Sequence, residues 1–467
     1  MAVLVASLLS LGACTRTRPP DIVLILIDTL RADRVGWYGS QRGLTPFLDS
    51  LGSRGTVFWN AYAQSSWTSP SMATLFTSRF PSQHGVNNYQ AVLAADETTL
   101  AERLQAHGYV RGAFVANRLL NERHGWTQGY DAYETLPPEL SGQPPSPFAK
   151  ARADVVNAAG LAWLDTLALA APARPPVFLY LHYMEPHVPY TPPEPIARQI
   201  MSRRGRVDEE WATFGRMLFT DTHLWTAPDA AAFDVIVDLY DAEVLSLDAQ
   251  LRELFAGLAQ RGLLANAIVI VAADHGEELQ DHGRLGHGTT LYNEVIHVPL
   301  LVIGPGQTER RDVHRLVSLV DIVPTVLALA AVQVPADVEG ASLEVDVQPS
   351  ALGAVMAYLR NLRSSTGVPS DAVFSQLVER AAEPKRHDAA VVLGHEKLIA
   401  AGESLETYDL EADPAETHND AVADRQALTD TFDAFTRLVQ QRSRRERVDQ
   451  LDQKTEDAMR ALGYGDQ

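Results

Sequence analysis

The chain has 467 residues, 46% of them hydrophobic, enough for one large α/β domain with a smaller companion. Its 39 basic against 59 acidic residues give a formal charge of -20, which excludes nucleic acid and anionic membrane surfaces as first partners, because both require clustered Lys or Arg. The single cysteine excludes an intrachain disulfide and a cysteine-based metal cluster, so an anionic substrate has to be captured by a metal ion or a helix N-terminus against the net field.

In chain order, residues 1–13 carry no ionisable side chain and form an apolar run too short to span a bilayer, as in an export signal. Leu11-Gly12-Ala13-Cys14 resembles the lipobox of bacterial lipoproteins, although no basic residues precede the run. The reading is an exported protein, at the bacterial periplasm or cell surface, whose only membrane contact is a lipid anchor on Cys14 with residues 15–20 as tether; an ordinary cleaved signal is the alternative. Unbroken apolar runs follow at 22–27, 177–181, 267–273 and 298–303. Runs of this length predict parallel strands buried on both faces, and hence a large, mostly parallel α/β sheet sandwiched by helices. Ligands bind at the carboxyl ends of such strands, where Asp28, His182 and Asp274 stand. Residues 141–147 and 186–195 read as loops and 198–238 as a helical insertion. Beyond Gly340, strand candidates at 372–374 and 389–393, a hairpin around Gly402 and a helical tail over 421–445 predict a smaller α+β unit. The expected divisions are 1–20 for signal and tether, 21–345 for the large domain and 346–467 for the small one.

Two strand ends delivering Asp28 and Asp274 to one sheet edge, the latter followed at once by His275, suit a divalent cation, with zinc or manganese favoured by the imidazole and calcium by carboxylates alone. An aspartate at a strand end also serves as a helix cap. Between them in sequence lies Ser66-Trp67-Thr68-Ser69-Pro70-Ser71-Met72, a turn entering a helix with proline in its first turn. A threonine hydroxyl there faces the positive helix end and could attack a tetrahedral anion held by a cation; Thr68 or Ser69 could equally cap the helix. Asp241 and Asp248 read as structural, and His182 as either core or support for a ligand.

These pieces together resemble the sulfatase family of the alkaline phosphatase superfamily. The resemblance rests on Pro20-Asp21 through Asp28-Thr29-Leu30-Arg31, Thr45-Pro46, Asn60-Ala61-Tyr62, Thr68 to Met72 with Ser78-Arg79-Phe80-Pro81 behind it, His182-Tyr183-Met184-Glu185-Pro186-His187, Ala273-Asp274-His275-Gly276-Glu277 and Val320-Asp321-Ile322-Val323-Pro324-Thr325. Tyr408-Asp409-Leu410-Glu411-Ala412-Asp413-Pro414 is similar to the family's small C-terminal domain. The resemblance implies an alkaline phosphatase-like fold, one divalent metal ion (Ca, Zn or Mn) on Asp28, Asp274 and His275, Thr68 in the nucleophile's slot, His187 and His287 as basic groups on the substrate, and Arg79 and Asn117 as substrate-binding residues.

The chain departs from the family at four places. Thr68 replaces the cysteine or serine converted to formylglycine, and its β-methyl allows at best a ketone, so no formylglycine is expected. Met72 replaces an arginine, Thr29 replaces a second aspartate, and Ala116-Asn117-Arg118 stands where a Gly-Lys-x-His element is expected. The leading reading is a metal-dependent hydrolase of sulfate, phosphate or phosphonate esters, its substrate an anionic ester on a glycan or lipid, with Thr68 as covalent nucleophile. The alternatives are an envelope phosphoethanolamine- or glycerophosphate-type transferase and a non-catalytic binder of sulfated or phosphorylated glycans.

Overall fold

Asp21–Ile27 (β1) reads DIVLILI, and all seven residues are buried, which only a strand covered on both faces permits. In the computed structural model, β1 lies in the middle of an eight-stranded sheet with β2 (Thr56–Tyr62), β3 (Val110–Val115), β4 (Ala132–Thr135), β5 (Val177–Tyr183), β6 (Ala267–Ala273), β9 (Leu300–Ile303) and β10 (Arg311–Ser318), in the order β10-β2-β9-β6-β1-β5-β3-β4. Two short strands, β7 (Glu278–Leu279) and β8 (Leu285–Gly286), form a separate ribbon. The structure describes residues 18–138, 150–171, 174–203, 205, 230–343, 369, 371–378, 387–419, 425–441 and 443; the export signal, Cys14 and the 141–147 loop lie outside the described residues.

The parallel register of β1 sets up the site. Ile27 stands beside Tyr183 on β5 and Ala273 on β6, so Asp28 and Asp274 leave the same edge from adjacent strands, whose spacing is about 4.8 Å. The expectation of a parallel strand over 298–303 needs correction: β9 runs antiparallel to both β2 and β6, because the chain leaving β6 passes through β7, β8 and the short helix Asn293–Ile296, folds back on the end of β6 and returns without a crossover helix. Helices cover both faces, among them Ala153–Asp165 and the long Ala230–Gln260. From the latter, Asp248 accepts the Phe47 and Leu48 N–H groups and caps the Pro46–Gly52 helix, while Asp241 pairs with Arg34 and Arg42; both aspartates are structural.

A second, antiparallel sheet follows, with β11 (Ala372–Val378), β12 (His387–Leu393), β13 (Glu396–Ala401) and β14 (Ser404–Asp409) in sequential order, backed by the helix Arg425–Gln440. It docks on the first through buried polar groups. Lys397 is fully buried, with Nζ 2.6 Å from Glu416 Oε1 and 3.1 Å from Asn293 Oδ1, and Glu416 Oε2 accepts the Asn293 N–H. Next to them, His282 stacks on Tyr292 at 3.6 Å and places Nδ1 2.6 Å from Glu294 Oε1. Burial disfavours charge on His282, but Glu294 outweighs it and raises the imidazole pKa to about 9. Among the described residues no helix is long and apolar enough to cross a membrane.

Candidate active site

Each of the two strand-end carboxylates is held by one oxygen and leaves the other bare. Asp28 Oδ2 accepts the Asn117 side-chain N–H at 2.8 Å and lies 3.1 Å from His182 Nε2, whose Nδ1 in turn faces the Tyr180 hydroxyl at 2.7 Å. Asp274 Oδ1 accepts the backbone N–H groups of His275 (2.9 Å) and Thr29 (3.3 Å). The remaining oxygens, Asp28 Oδ1 and Asp274 Oδ2, are buried without a hydrogen-bond partner. Two such atoms at full burial are costly unless a cation meets them.

Both bare oxygens face His275 Nε2, at 3.7 Å from Asp28 Oδ1 and 3.5 Å from Asp274 Oδ2, and Thr68 Oγ1 lies 3.2 Å from the same nitrogen. Donor atoms 3.2–3.7 Å apart have the spacing of ligands around one cation bound at about 2.0–2.2 Å. His275 Nδ1 lies 2.8 Å from the Gly276 carbonyl, a contact that assigns the ring proton to Nδ1 and leaves Nε2 a free lone pair. A ring nitrogen of His182 and one oxygen each of Asp28 and Asp274 lie within 4.8 Å of one another, so Asp28, His182 and Asp274 make a second triad able to hold a metal. The hydrogen bonding favours His275, because His182 uses Nε2 on the Asp28 oxygen that Asn117 already holds.

The two carboxylates differ in their electrostatics. Burial, then repulsion from Asp28, pushes the Asp274 carboxyl well up. Burial also acts on Asp28, but the His182 hydrogen bond and the fields of His187, His182 and His275 hold it below its usual range. Burial lowers His275 and His187 to about 4, so both imidazoles are neutral at pH 7.

Thr68 opens the helix Thr68–Thr77, every residue of which is buried, with Trp67 as N-cap. Ser71 Oγ donates to the Asp274 carbonyl at 2.6 Å and ties this helix to the end of β6. The Thr68 hydroxyl therefore sits at the positive helix end, in front of the two aspartates. Three imidazoles complete the wall: the ring of His287 lies 4.9 Å from that of His187 and 4.5 Å from that of His275. Glu277 Oε1 stands 2.7 Å from His287 Nδ1, and Trp67 lies against the other side of the ring. Gly288, at φ +80, allows this approach, since a Cβ there would fall 1.9 Å from the Trp67 ring. Thr29 is left-handed at φ 57, an expensive conformation for a β-branched residue, and the Tyr240 hydroxyl holds it by donating to the Thr29 carbonyl while accepting the Arg31 N–H.

Of the residues singled out in the sequence, Asp28, Thr68, Asn117, His187, Asp274, His275 and His287 come together here. Arg79 does not: it follows a ten-residue helix that begins at Thr68, so roughly 15 Å separate the two, and its guanidinium pairs with Glu97. Asn117 holds a carboxylate rather than facing open space. Sequence reasoning missed Glu277, although it lies in the quoted Asp274-His275-Gly276-Glu277 run; its partner becomes visible only when the β7–β8 ribbon folds back.

Comparison with known proteins places these features in context. A family model described as "Sulfatase" matches residues 20–332. Arylsulfatase K of Bos taurus is 28% identical over 353 residues, covering 69% of this chain and 65% of that protein, so the chain matches slightly less than two thirds of that relative's length. Human arylsulfatase A is 28% identical over 449 residues, 86% of this chain and 83% of that protein. Among solved structures, the phosphonate monoester hydrolase of Agrobacterium radiobacter superposes with a TM-score of 0.69 at 21% identity, over 91% of this chain and 95% of that one. A protein solved in complex with its substrate D-glucosamine-2-N,6-O-disulfate also gives 0.69, at 19% identity over 91% and 98%. At these identities the superpositions establish a shared fold.

Proposed function

Because the chain belongs to the sulfatase family, we propose that it is a metal-dependent ester hydrolase acting on sulfate or, in preference, phosphorus esters, with Thr68 as covalent nucleophile. The observation that carries this reading is the placement of Thr68 Oγ1 3.2 Å from His275 Nε2, at a helix N-terminus and opposite the two unpartnered carboxylate oxygens. Asp28, Asp274, His275 and the Thr68 hydroxyl suit one divalent ion, and the nitrogen in the set favours zinc or manganese over calcium. When bound, that ion would lower the pKa of the Thr68 hydroxyl and offset the charge of the ester oxygens.

The protein's own groups account for the rest. The Thr68 oxygen, its proton released to solvent, attacks phosphorus or sulfur, the bond from that atom to the ester's leaving oxygen breaks, and a second proton goes to the departing alkoxide. His187 and His287 border the site, and Glu277 fixes the tautomer of His287 with Nδ1 protonated, so a protonated Nε2 is suited to supply that proton. Threonine lacks the second hydroxyl of a formylglycine hydrate, so an outside nucleophile must attack the intermediate at phosphorus or sulfur. That requirement favours phosphorus esters. It also keeps a transferase in play as a second reading, since an acceptor alcohol can replace water at this step. Export and lipid attachment at Cys14 are proposed on the sequence alone, and the mass of the mature N-terminal peptide tests them.

The decisive experiment is turnover by metal-reconstituted protein on matched aryl sulfate, phosphate monoester, phosphodiester and phosphonate substrates, together with the intact mass of acid-quenched protein. The expected result is turnover of a phosphorus ester with a phosphoryl-sized adduct on Thr68, absent from Thr68→Ala. Acceptor-dependent product with little release to water selects the transferase. Binding without any turnover sinks both catalytic readings.

A further inference from the structure

Behind the turn that carries His187 lies a second cluster of buried charge. Glu185 is 6% exposed; its Oε1 accepts the N–H of Ala153, the first residue of the helix Ala153–Asp165, at 2.8 Å, and its Oε2 is buried without a hydrogen-bond partner. From the helix Ala230–Gln260 comes Glu243, 1% exposed, whose Oε2 accepts Lys150 Nζ at 2.8 Å and whose Oε1 accepts the Thr191 N–H. Lys150 Nζ also donates to the His187 carbonyl at 2.7 Å. These groups, with Ser246 and Gln250, line a cavity of about 80 Å³.

The charges there do not balance. Among the described residues lining it, Lys150 and Arg152 stand against Glu185, Glu243 and Asp154; Arg152 pairs with Asp154 and Lys150 with Glu243, and the oxygen left over belongs to Glu185. A buried carboxylate in that condition must take up a proton or acquire a counter-charge. Burial, then repulsion from Glu243, raises the Glu185 carboxyl to about 7, against a smaller lowering by Lys150. The cavity holds more than the one probe-sized space that an ion or water requires. Beside the Lys150 and Arg152 cations, its wall offers carboxylate, hydroxyl and amide oxygens and no imidazole or thiol, so the donors present suit a hard cation. One residual negative charge matches a monovalent ion; a divalent one would leave a buried positive charge instead.

We propose that this cavity is a binding site for a monovalent alkali cation, coordinated by Glu185 Oε2 and neighbouring oxygens. The ion keeps Glu185 ionised against the start of the helix Ala153–Asp165 and braces the Pro186-His187 turn from behind. The site is separate from the Thr68 centre and stands whether or not that centre hydrolyses an ester.

The test uses full-length protein saturated with its divalent metal, melted in sodium, potassium, rubidium or tetramethylammonium chloride at one ionic strength. The expected result is a saturable rise of about 2 °C or more with an alkali ion over tetramethylammonium, lost in Glu185→Gln, which keeps the acceptor for Ala153. Crystals grown in rubidium chloride should show an anomalous peak within coordination distance of Glu185 Oε2. The Na+ and K+ arms identify the preferred ion. Equal melting in tetramethylammonium, an unchanged alkali response in Glu185→Gln, or the lack of a rubidium peak each overturns the proposal.

Discussion

Two regions of this molecule bury charge at the same depth and resolve it in opposite ways. At the seam between the two sheets, Lys397 and Glu416 are buried, yet each stands beside an opposite charge and both also hold Asn293. At the edge of the large sheet, Asp28 and Asp274 are just as buried, and each keeps one oxygen without a hydrogen-bond partner, facing only His275. The first arrangement is closed and serves to position β7, β8 and the segment around His287. The second pairs two carboxylates with imidazoles alone. Burial alone therefore does not mark a functional site, nor does one unpartnered oxygen, since Glu416 Oε1 lacks a hydrogen bond too; two adjacent carboxylates with neither Lys nor Arg beside them do.

The comparison can be broken by substitution, beginning with the largest effect. Thr68→Ala should lower kcat on the preferred ester by about 10⁴-fold or more while leaving the melting temperature near that of wild type, read by steady-state kinetics and calorimetry. Lys397→Met should cost about 3–5 kcal/mol in urea unfolding, because it strands Glu416 in the seam, and Lys397→Met with Glu416→Leu should recover most of that loss. If the single variant is as stable as wild type, the seam is not closed in the sense argued above. His287→Gln, which borders the site beside His275 without being an ion ligand itself, should reduce kcat by about 10²-fold or more in steady-state assays.

Asp274→Asn sharpens the contrast from the other side. In chelator-treated protein it should raise the melting temperature by a few degrees, about 1–2 kcal/mol, since it removes repulsion from Asp28, whereas added zinc or manganese should stabilise wild type but not the variant. A drop in chelator-treated stability would show that Asp274 already has its partner within the chain. The smallest effect concerns His84, whose Nδ1 accepts the Val86 N–H and whose Nε2 lies 3.1 Å from Thr74 Oγ1. Burial, with Arg79 nearby, lowers it to about 3. The unfolded chain therefore binds a proton that the native state refuses between about pH 6.5 and 3, so His84 removes stability as pH falls through that window, with a slope of up to about 1.4 kcal/mol per pH unit. His84→Gln should show a shallower loss in urea midpoints measured from pH 7 to 4.

Much of the site was legible in the sequence because it hangs on strand ends. β1, β5 and β6 are continuous apolar runs, and the polar residue after each is conspicuous, which is how Asp28 and Asp274 were found. β3 was not legible: Arg111 and Gly112 interrupt it, and Arg111 is tolerated there only because Asp131 pairs with it. The direction of β9 is not encoded in periodicity, since a buried strand reads alike either way. Arg79 was misplaced because motif order carries no distance, whereas a ten-residue helix does. The part played by Glu277 depends on the β7–β8 fold-back, a non-local event that no short window contains. The seam was hidden for a similar reason, because Lys397 looks like any surface lysine until Glu416 is brought to it.

The central position of β1 has a consequence for how the protein is made. The strand leaves the ribosome early, but Ile22 must wait for Phe178 on one side and Ile268 on the other before either edge is satisfied. A long stretch of synthesis thus passes with the most apolar segment unpaired, and contacts so distant in sequence close slowly. The chain is expected to remain dependent on holding factors until β6 has emerged, and Asp28 meets Asp274 only after that. An ion that requires both carboxylates would therefore be acquired late in the life of the chain, for a reason of topology.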